Sequence, residues 1–261
     1  MKNKKTGRRQ FVKTSLAGFG SFSLSSLLST AYASDYREKA VLKKLNVICI
    51  GAHPGDPEFG CGGTMLKFSK AGHAVSFLYL TRGEAYNANQ SFEQSATLRT
   101  KEAETSCKIL NVTPMFMGQV DANTELNKQR NEEATKLILS QKPDIVFTQW
   151  PIDAHPDHQV AGLLTLTAWI RANKQFHLYF YEVNTGSETM NFTPSEYVDI
   201  SDVRQTKKAA LMAHQTQAPQ DVYDSFFKKM EDFRGLEANV KAAEAFIYFK
   251  PNDGRNSIAG L

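Results

Sequence analysis

The chain of 261 residues is poor in cysteine, with only Cys49, Cys61 and Cys107. An odd number, with two of the three in core-like or turn positions, reads as buried thiols and argues against a disulfide framework. There is no internal repeat and no low-complexity linker. A Gly-x-Gly-x-x-Gly element is missing, and so is the Lys-Ser/Thr pair of a phosphate-binding loop, although Gly60, Gly62 and Gly63 lie close together. These absences speak against a nucleotide site. Nor is there a long apolar run: residues 15–30 are moderately apolar but too short and too rich in Ser and Gly for a comfortable membrane span.

What the first residues do contain is an export pattern. Lys2, Lys4, Lys5, Arg8, Arg9 and Lys13 make a basic start, residues 15–30 follow, and Ala31-Tyr32-Ala33 is a small-x-small cleavage pattern. The adjacent Arg8-Arg9 is of the twin-arginine type. A signal peptide over 1–33 is therefore expected, with a mature chain beginning near Ser34 that is exported folded to the periplasm or cell envelope. No stable membrane span is expected after cleavage. The leader holds six of the 31 basic residues and none of the 27 acidic ones, so the mature chain carries 25 against 27. The formal charge of +4 is then no sign of a nucleic-acid partner. Roughly 228 mature residues suit one α/β domain, 34–261, with a sizeable core.

Along the mature chain, apolar runs alternate with helical patterns. Strands are expected at 46–50, 74–80, 114–117, 144–148, 178–182, 197–200 and 245–249. Helices are expected from Met65 to Gly72 and over about 93–110, 131–141 and 157–172, with another capped by Ser201 and running to about His214. A further helix is expected to start at Asp221 or Ser225. This alternation predicts a three-layer, Rossmann-like, mostly parallel sheet, with an irregular C-terminal region closing the site.

The chemistry concentrates at strand ends, where open α/β sheets bind ligands. The stretch Ala52-His53-Pro54-Gly55-Asp56-Pro57 reads as a turn after the first strand, with His53 and Asp56 able to converge on one ion. His155-Pro156-Asp157-His158 follows a later strand. Together His53, Asp56 and His158 make a His₂Asp ligand set of the type that leaves a zinc position open for water. His155 is then free to act as general acid and oxyanion stabiliser. Asp157 either orients His155 or caps the helix that it begins. The charges around Lys207 and Lys228 read as solvated helix faces.

These motifs resemble the PIG-L/LmbE-like zinc-dependent N-deacetylases. The resemblance rests on Ala52-His53-Pro54-Gly55-Asp56-Pro57-Glu58 with Gly60-Cys61-Gly62-Gly63-Thr64, and on Pro151-Ile152-Asp153-Ala154-His155-Pro156-Asp157-His158. Thr81-Arg82-Gly83-Glu84, Arg99 with Glu102, Lys208 to Leu211 with His214, and Ala243 to Phe246 also fit. It implies zinc on His53, Asp56 and His158, acid catalysis by His155, and substrate contact or pocket shaping by Arg99 and Glu84. It further implies removal of acetate from an N-acetylglucosaminyl group. One position departs: Gly55 stands where the family's general-base Asp is expected. Loss of a base costs about 10²–10⁴-fold, and Asp153, Asp157, Glu58 or Asp56 are the candidates to replace it.

The expected function is therefore zinc-dependent hydrolysis of the acetamide of a small-molecule or glycan substrate bearing an N-acetyl amino-sugar. A glycan-binding relative without catalysis, exploiting Gly55, and a metal hydrolase for another amide or ester are the alternatives. Homo-oligomerisation is left open.

Overall fold

The computed structural model describes residues 43–250, so the predicted leader, its cleavage site and the start at Ser34 lie outside the described residues. Apolar runs become seven strands: β1 (Asn46–Gly51), β2 (Ala74–Tyr79), β3 (Thr113–Phe116), β4 (Ile145–Gln149), β5 (His177–Tyr181), β6 (Glu196–Asp199) and β7 (Ala243–Phe249). They form one sheet of order β3-β2-β1-β4-β5-β7-β6. The first five in that order are parallel, while β7 is antiparallel to both β5 and β6. The expected strands are all present, with ends shifted by one or two residues.

The helices are α1 (Asp56–Lys70), α2 (Phe92–Leu110), α3 (Lys128–Ser140), α4 (Pro156–Arg171), α5 (Arg204–Leu211), α6 (Pro219–Val222) and α7 (Lys228–Ala238). A π-turn over Tyr223–Phe227 joins the last two. Strand residues alternate between two cores. Val47 and Cys49 pack with Met65, Ala103, Cys107 and Leu211 from α1, α2 and α5. Ile48 and Ile50 pack with Ile138, Leu164 and Ala168 from α3 and α4. Helix, sheet and helix are the three layers predicted. The three cysteines are free and buried. Among the described residues, no helix is long and apolar enough to cross a membrane.

Three local expectations need correcting. The first helix starts not near Met65 but at Asp56, with Pro57 in its first turn, where a missing N–H costs nothing, so the glycine-rich stretch lies inside it. The glycines are there for close packing. A Cβ on Gly60 would stand 2.3 Å from the Tyr181 ring, and one on Gly63 would stand 2.6 Å from Ile200. Ser201 does not cap α5, which begins three residues later after Val203. The Ser201 hydroxyl donates instead to Asp199 (2.5 Å) and accepts from the Ala242 amide (3.2 Å), tying β6 to β7. Lys207 is not on a solvated face: it is buried, with its ammonium between Glu231 (2.8 Å) and Glu244 (2.7 Å).

The connections from β1 through β2 to β3 run one way across the sheet, and those from β4 to β5 run the other way. Neighbouring β1 and β4 therefore form the switch point, where the following loops diverge and leave a crevice. The two histidine motifs are the loops after these two strands.

Candidate metal centre and active site

The loop after β1 is short and pinned. The Asp56 amide donates to the His53 carbonyl (3.2 Å), and the Asp56 carboxylate accepts from the His53 amide (2.8 Å). The turn closes through Gly55 at φ +111°, a conformation suited to glycine. From β4, Gln149 reaches across: its side-chain oxygen accepts from the Ala52 amide (2.8 Å), and its amide nitrogen donates to Asp56 Oδ2 (3.2 Å). After β4, His155 is the N-cap of α4, its Nδ1 accepting from the Asp157 amide (3.2 Å). One helical turn further on, His158 is buried facing the first motif.

His53, Asp56 and His158 do meet. Asp56 Oδ2 lies 3.2 Å from His53 Nδ1 and 3.5 Å from His158 Nε2. The other nitrogen of each ring is claimed by carboxylates. His53 Nε2 faces Asp121 (3.0 Å) and Asp157 (3.1 Å), and His158 Nδ1 faces Asp153 (3.1 Å). In the neutral rings the protons thus belong on His53 Nε2 and His158 Nδ1. Two lone pairs are then left aimed at a carboxylate oxygen that also has no proton to give.

Two ring nitrogens converging on one carboxylate oxygen suit a cation, which would stand where ring protons otherwise would. A carboxylate behind each ligating imidazole is the usual support of a metal site. Zinc bonds of about 2.0–2.2 Å in tetrahedral array separate neighbouring donors by about 3.3–3.6 Å, and the two distances to Asp56 Oδ2 are close to that. Among the described residues, two groupings bring all their donor atoms within 4.8 Å of one another: His53 with His155 and His158, and His53 with Asp121 and Asp157. The second is spent on hydrogen bonds, since Asp157 also accepts from the Ala122 amide (2.8 Å) and Thr124 (2.6 Å), and Asp121 from the Ala85 amide (3.1 Å).

Titration follows the same logic. Burial alone would lower His53, but Asp56, Asp121 and Asp157 lift it well above the ordinary histidine value. Burial would raise Asp56, yet His158 and His53 hold it below the carboxylate range. His155 is lowered by burial and by the neighbouring His53 and His158, so it is neutral near pH 7. With Nδ1 accepting from a backbone amide, the proton of neutral His155 sits on Nε2, as a donor.

These groups line a cavity of about 520 Å³, with Arg99 and Tyr86 in the same wall and Phe59, Val183, Val222 and Phe227 forming an apolar side. Phe59 and Phe227 stack with ring centres 4.0 Å apart. Arg99 Nη2 donates to the Pro54 carbonyl (2.7 Å), so it braces the first histidine turn while reaching the cavity. Glu102 holds the far rim through the amide (2.9 Å) and hydroxyl (2.7 Å) of Thr216.

Several predicted residues stand elsewhere than expected. Asp157 neither orients His155 nor caps α4 with its side chain; its carboxylate turns back to His53. Asp153 is buried behind His158, also accepting from the His155 amide (2.9 Å) and Thr189 (2.8 Å). Glu58 is buried under Gly55, accepting from Tyr79 (2.8 Å) and the Gly55 amide (3.2 Å) and facing His214 Nε2 (3.0 Å). None of the three lines the cavity, so none is placed as a base. Glu84 also stays out of it: its carboxylate accepts from the amides of Arg82 (3.2 Å) and Asp121 (3.1 Å), shaping the wall. Sequence reasoning missed Asp121, Gln149 and Glu188. Only Asp121 and Gln149 left a signal, as polar residues at or just past the carboxyl ends of β3 and β4.

Comparison with known proteins places the chain's family and fold. The family profile described as PIG-L, GlcNAc-PI de-N-acetylase, matches residues 48–169, a span that includes both histidine motifs. A diacetylchitobiose deacetylase from Thermococcus kodakarensis is 30% identical over 192 residues, covering 68% of this chain and 72% of the relative. A probable N-acetyl-α-D-glucosaminyl L-malate deacetylase from Bacillus subtilis is 26% identical, over 67% of this chain and 84% of its own length. Among solved structures, the N,N'-diacetylchitobiose deacetylase of Pyrococcus horikoshii superposes with a TM-score of 0.71 at 22% identity, over 88% of this chain and 94% of that one, which speaks for the shared fold.

Proposed function

The chain belongs to the PIG-L, GlcNAc-PI de-N-acetylase family, and on that footing we propose that it is a zinc-dependent N-deacetylase. Its substrate is a small molecule or glycan carrying an N-acetylglucosaminyl group, from which it releases acetate. One observation carries this reading: a ring nitrogen of His53 and one of His158 converge on the same Asp56 oxygen, at 3.2 and 3.5 Å, at the wall of a cavity of sugar size.

His53, Asp56 and His158 would hold the metal. When bound, zinc supplies Lewis-acid polarisation of the acetyl carbonyl and lowers the pKa of water at the site to about 7. The rest of the work falls to side chains. Asp121 and Asp157 fix the ring of His53, and Asp153 fixes that of His158. His155 offers Nε2–H to the oxygen that becomes negative as the carbonyl is attacked, in the manner of a neutral-imidazole oxyanion donor. The role as acid toward the leaving amine, also expected of His155, suits it poorly. An imidazolium would place Nδ1–H against the Asp157 N–H, and its neighbours lower its pKa. Arg99 and Tyr86 are positioned for sugar hydroxyls, and the Phe59–Phe227 side for an apolar sugar face or the acetyl methyl.

Metal-stripped protein reloaded with zinc is expected to release acetate from N-acetylglucosamine or short N-acetylated oligosaccharides. Stoichiometric zinc without acetate would favour a glycan-binding relative, the reading that Gly55 keeps alive. Turnover of simple esters alone would favour another hydrolase. For location, the proposal is an envelope enzyme: the mature protein from a cell fraction should begin near Ser34, and Arg8→Lys with Arg9→Lys should strand it in the cytoplasm.

A further inference from the structure

Three carboxylates line the cavity: Asp56, Asp121 and Glu188. Asp56 is committed to His53, Gln149 and His158, and Asp121 spends one oxygen on His53 and the other on the Ala85 amide. Glu188 differs. The hydrogen bonds it makes run through its backbone, with its amide donating to the Asn184 carbonyl (2.9 Å) and its carbonyl accepting from the Ala154 amide (2.9 Å). Its carboxylate remains for the cavity.

The segment that carries Glu188 is held against the second histidine motif at three successive residues. Ala154 N–H donates to Glu188, the Thr189 hydroxyl donates to Asp153, and Met190 N–H donates to the Ile152 carbonyl (2.9 Å). Asp153 and Thr189 form an isolated antiparallel bridge. Thr189 in turn ties back to the end of β5 through Val183, whose amide donates to its hydroxyl (2.9 Å). The side chain at 188 is therefore planted on a short ladder adjoining His155 and His158, and not on a free loop.

Resting on the deacetylase reading above, we propose that Glu188 is the general base that stands in for the carboxylate missing at Gly55. In the reaction, the Glu188 carboxylate takes one proton from the attacking water as the water oxygen bonds to the acetyl carbon. As the carbon–nitrogen bond breaks, the same group returns that proton to the departing amine, leaving acetic acid, which ionises, and the free amino-sugar. One residue serving in both directions also relieves His155 of the acid role that its tautomer disfavours. Burial lifts the Glu188 carboxyl above its ordinary value, His158 and His53 opposing and Asp56 and Asp153 adding to the rise, which moves it toward the pKa of an effective base. Arg99, His155, Asp121 and Tyr86 are the other charged or titratable groups of the same cavity.

The test compares full-length mature wild type with Glu188→Gln and Glu188→Asp, all loaded with zinc, on an N-acetylated chitooligosaccharide. Expected for Glu188→Gln is a fall in kcat of about 10²–10⁴-fold, with KM within about threefold and the acid limb of the kcat–pH profile removed. Zinc stoichiometry and the calorimetric affinity for the same sugar should equal those of wild type. Glu188→Asp should keep part of the activity. A Glu188→Gln variant with wild-type kcat, or one raised only in KM, overturns the base assignment and leaves the deacetylase standing. Wild type that binds zinc and releases no acetate overturns both.

Discussion

Helix α1 connects two buried polar clusters of opposite character. At its first residue, Asp56 joins His53, His158, Asp153, Asp157 and Asp121, all buried, with Arg99 as the neighbouring cation. In its second turn, the amides of Gly63 and Thr64 both donate to Glu244 (2.8 Å each). Glu244 accepts in turn from Lys207, which also reaches Glu231, and Glu231 accepts from Arg204 (2.7 Å) and Tyr223 (3.0 Å). The second cluster balances two cations against two carboxylates, and each of these donors finds an acceptor. The first sets four carboxylates around two histidines whose ring nitrogens converge on one carboxylate oxygen. Burial of charge is thus no mark of function by itself; an excess of carboxylates around histidines at the wall of a cavity is.

The largest effect should come from breaking the balanced cluster. Lys207→Ala leaves Glu231 and Glu244 buried with less compensation, a loss of about 3–5 kcal/mol. Calorimetry should show the melting temperature falling by roughly 6–20 °C for a domain of this size. The Lys207 contribution should not vary between pH 5 and 9. Burial alone would lower its pKa, but Glu231 and Glu244 raise it. Its stabilisation is then fully present below the ordinary lysine value and lost only as pH climbs through the raised one.

The unbalanced cluster should break differently. His158→Ala removes a donor from the proposed metal set, so acetate release should drop by at least about a hundredfold, since metal polarisation is worth several kcal/mol. Its metal-free form should lose less stability than Lys207→Ala, because Asp153 keeps the His155 amide and Thr189 as donors. A variant that unfolds as Lys207→Ala does would mean that the histidine cluster is structural too. Asp153→Asn sharpens the point without touching a donor. The His158 Nδ1–H keeps a neutral acceptor but loses its carboxylate, and zinc affinity measured by competition with a chelator should weaken about 10–100-fold.

The balanced cluster was invisible in the sequence, and much of the other was not. His53, Asp56 and His158 are legible because a metal site needs its ligands at strand ends, and local motifs carry all three. The parallel strands were legible for a similar reason: each is a short apolar run between turn residues. What was lost depends on contacts distant along the chain. Lys207 reads as a solvated helix charge until Glu231 and Glu244 are brought to it, 24 and 37 residues later. Asp157 sits beside His155 in sequence, yet its carboxylate pairs with His53, 104 residues away. Glu188 carries no motif at all; only its backbone ladder to residues 152–154 makes it part of the site.

Gly55 offers the smallest and most discriminating change. By the motif alone, restoring the carboxylate is the direct way to raise activity. The backbone argues otherwise, since φ at 55 is +111°. An L side chain in that conformation costs about 1–3 kcal/mol, and the turn that aims His53 and Asp56 would absorb the strain. Gly55→Asp is therefore expected to lower the melting temperature by several degrees without raising kcat above wild type. If turnover instead climbs a hundredfold or more, the turn tolerates a carboxylate after all. The wild-type site would then be one that works without a base, and Glu188 would lose its role.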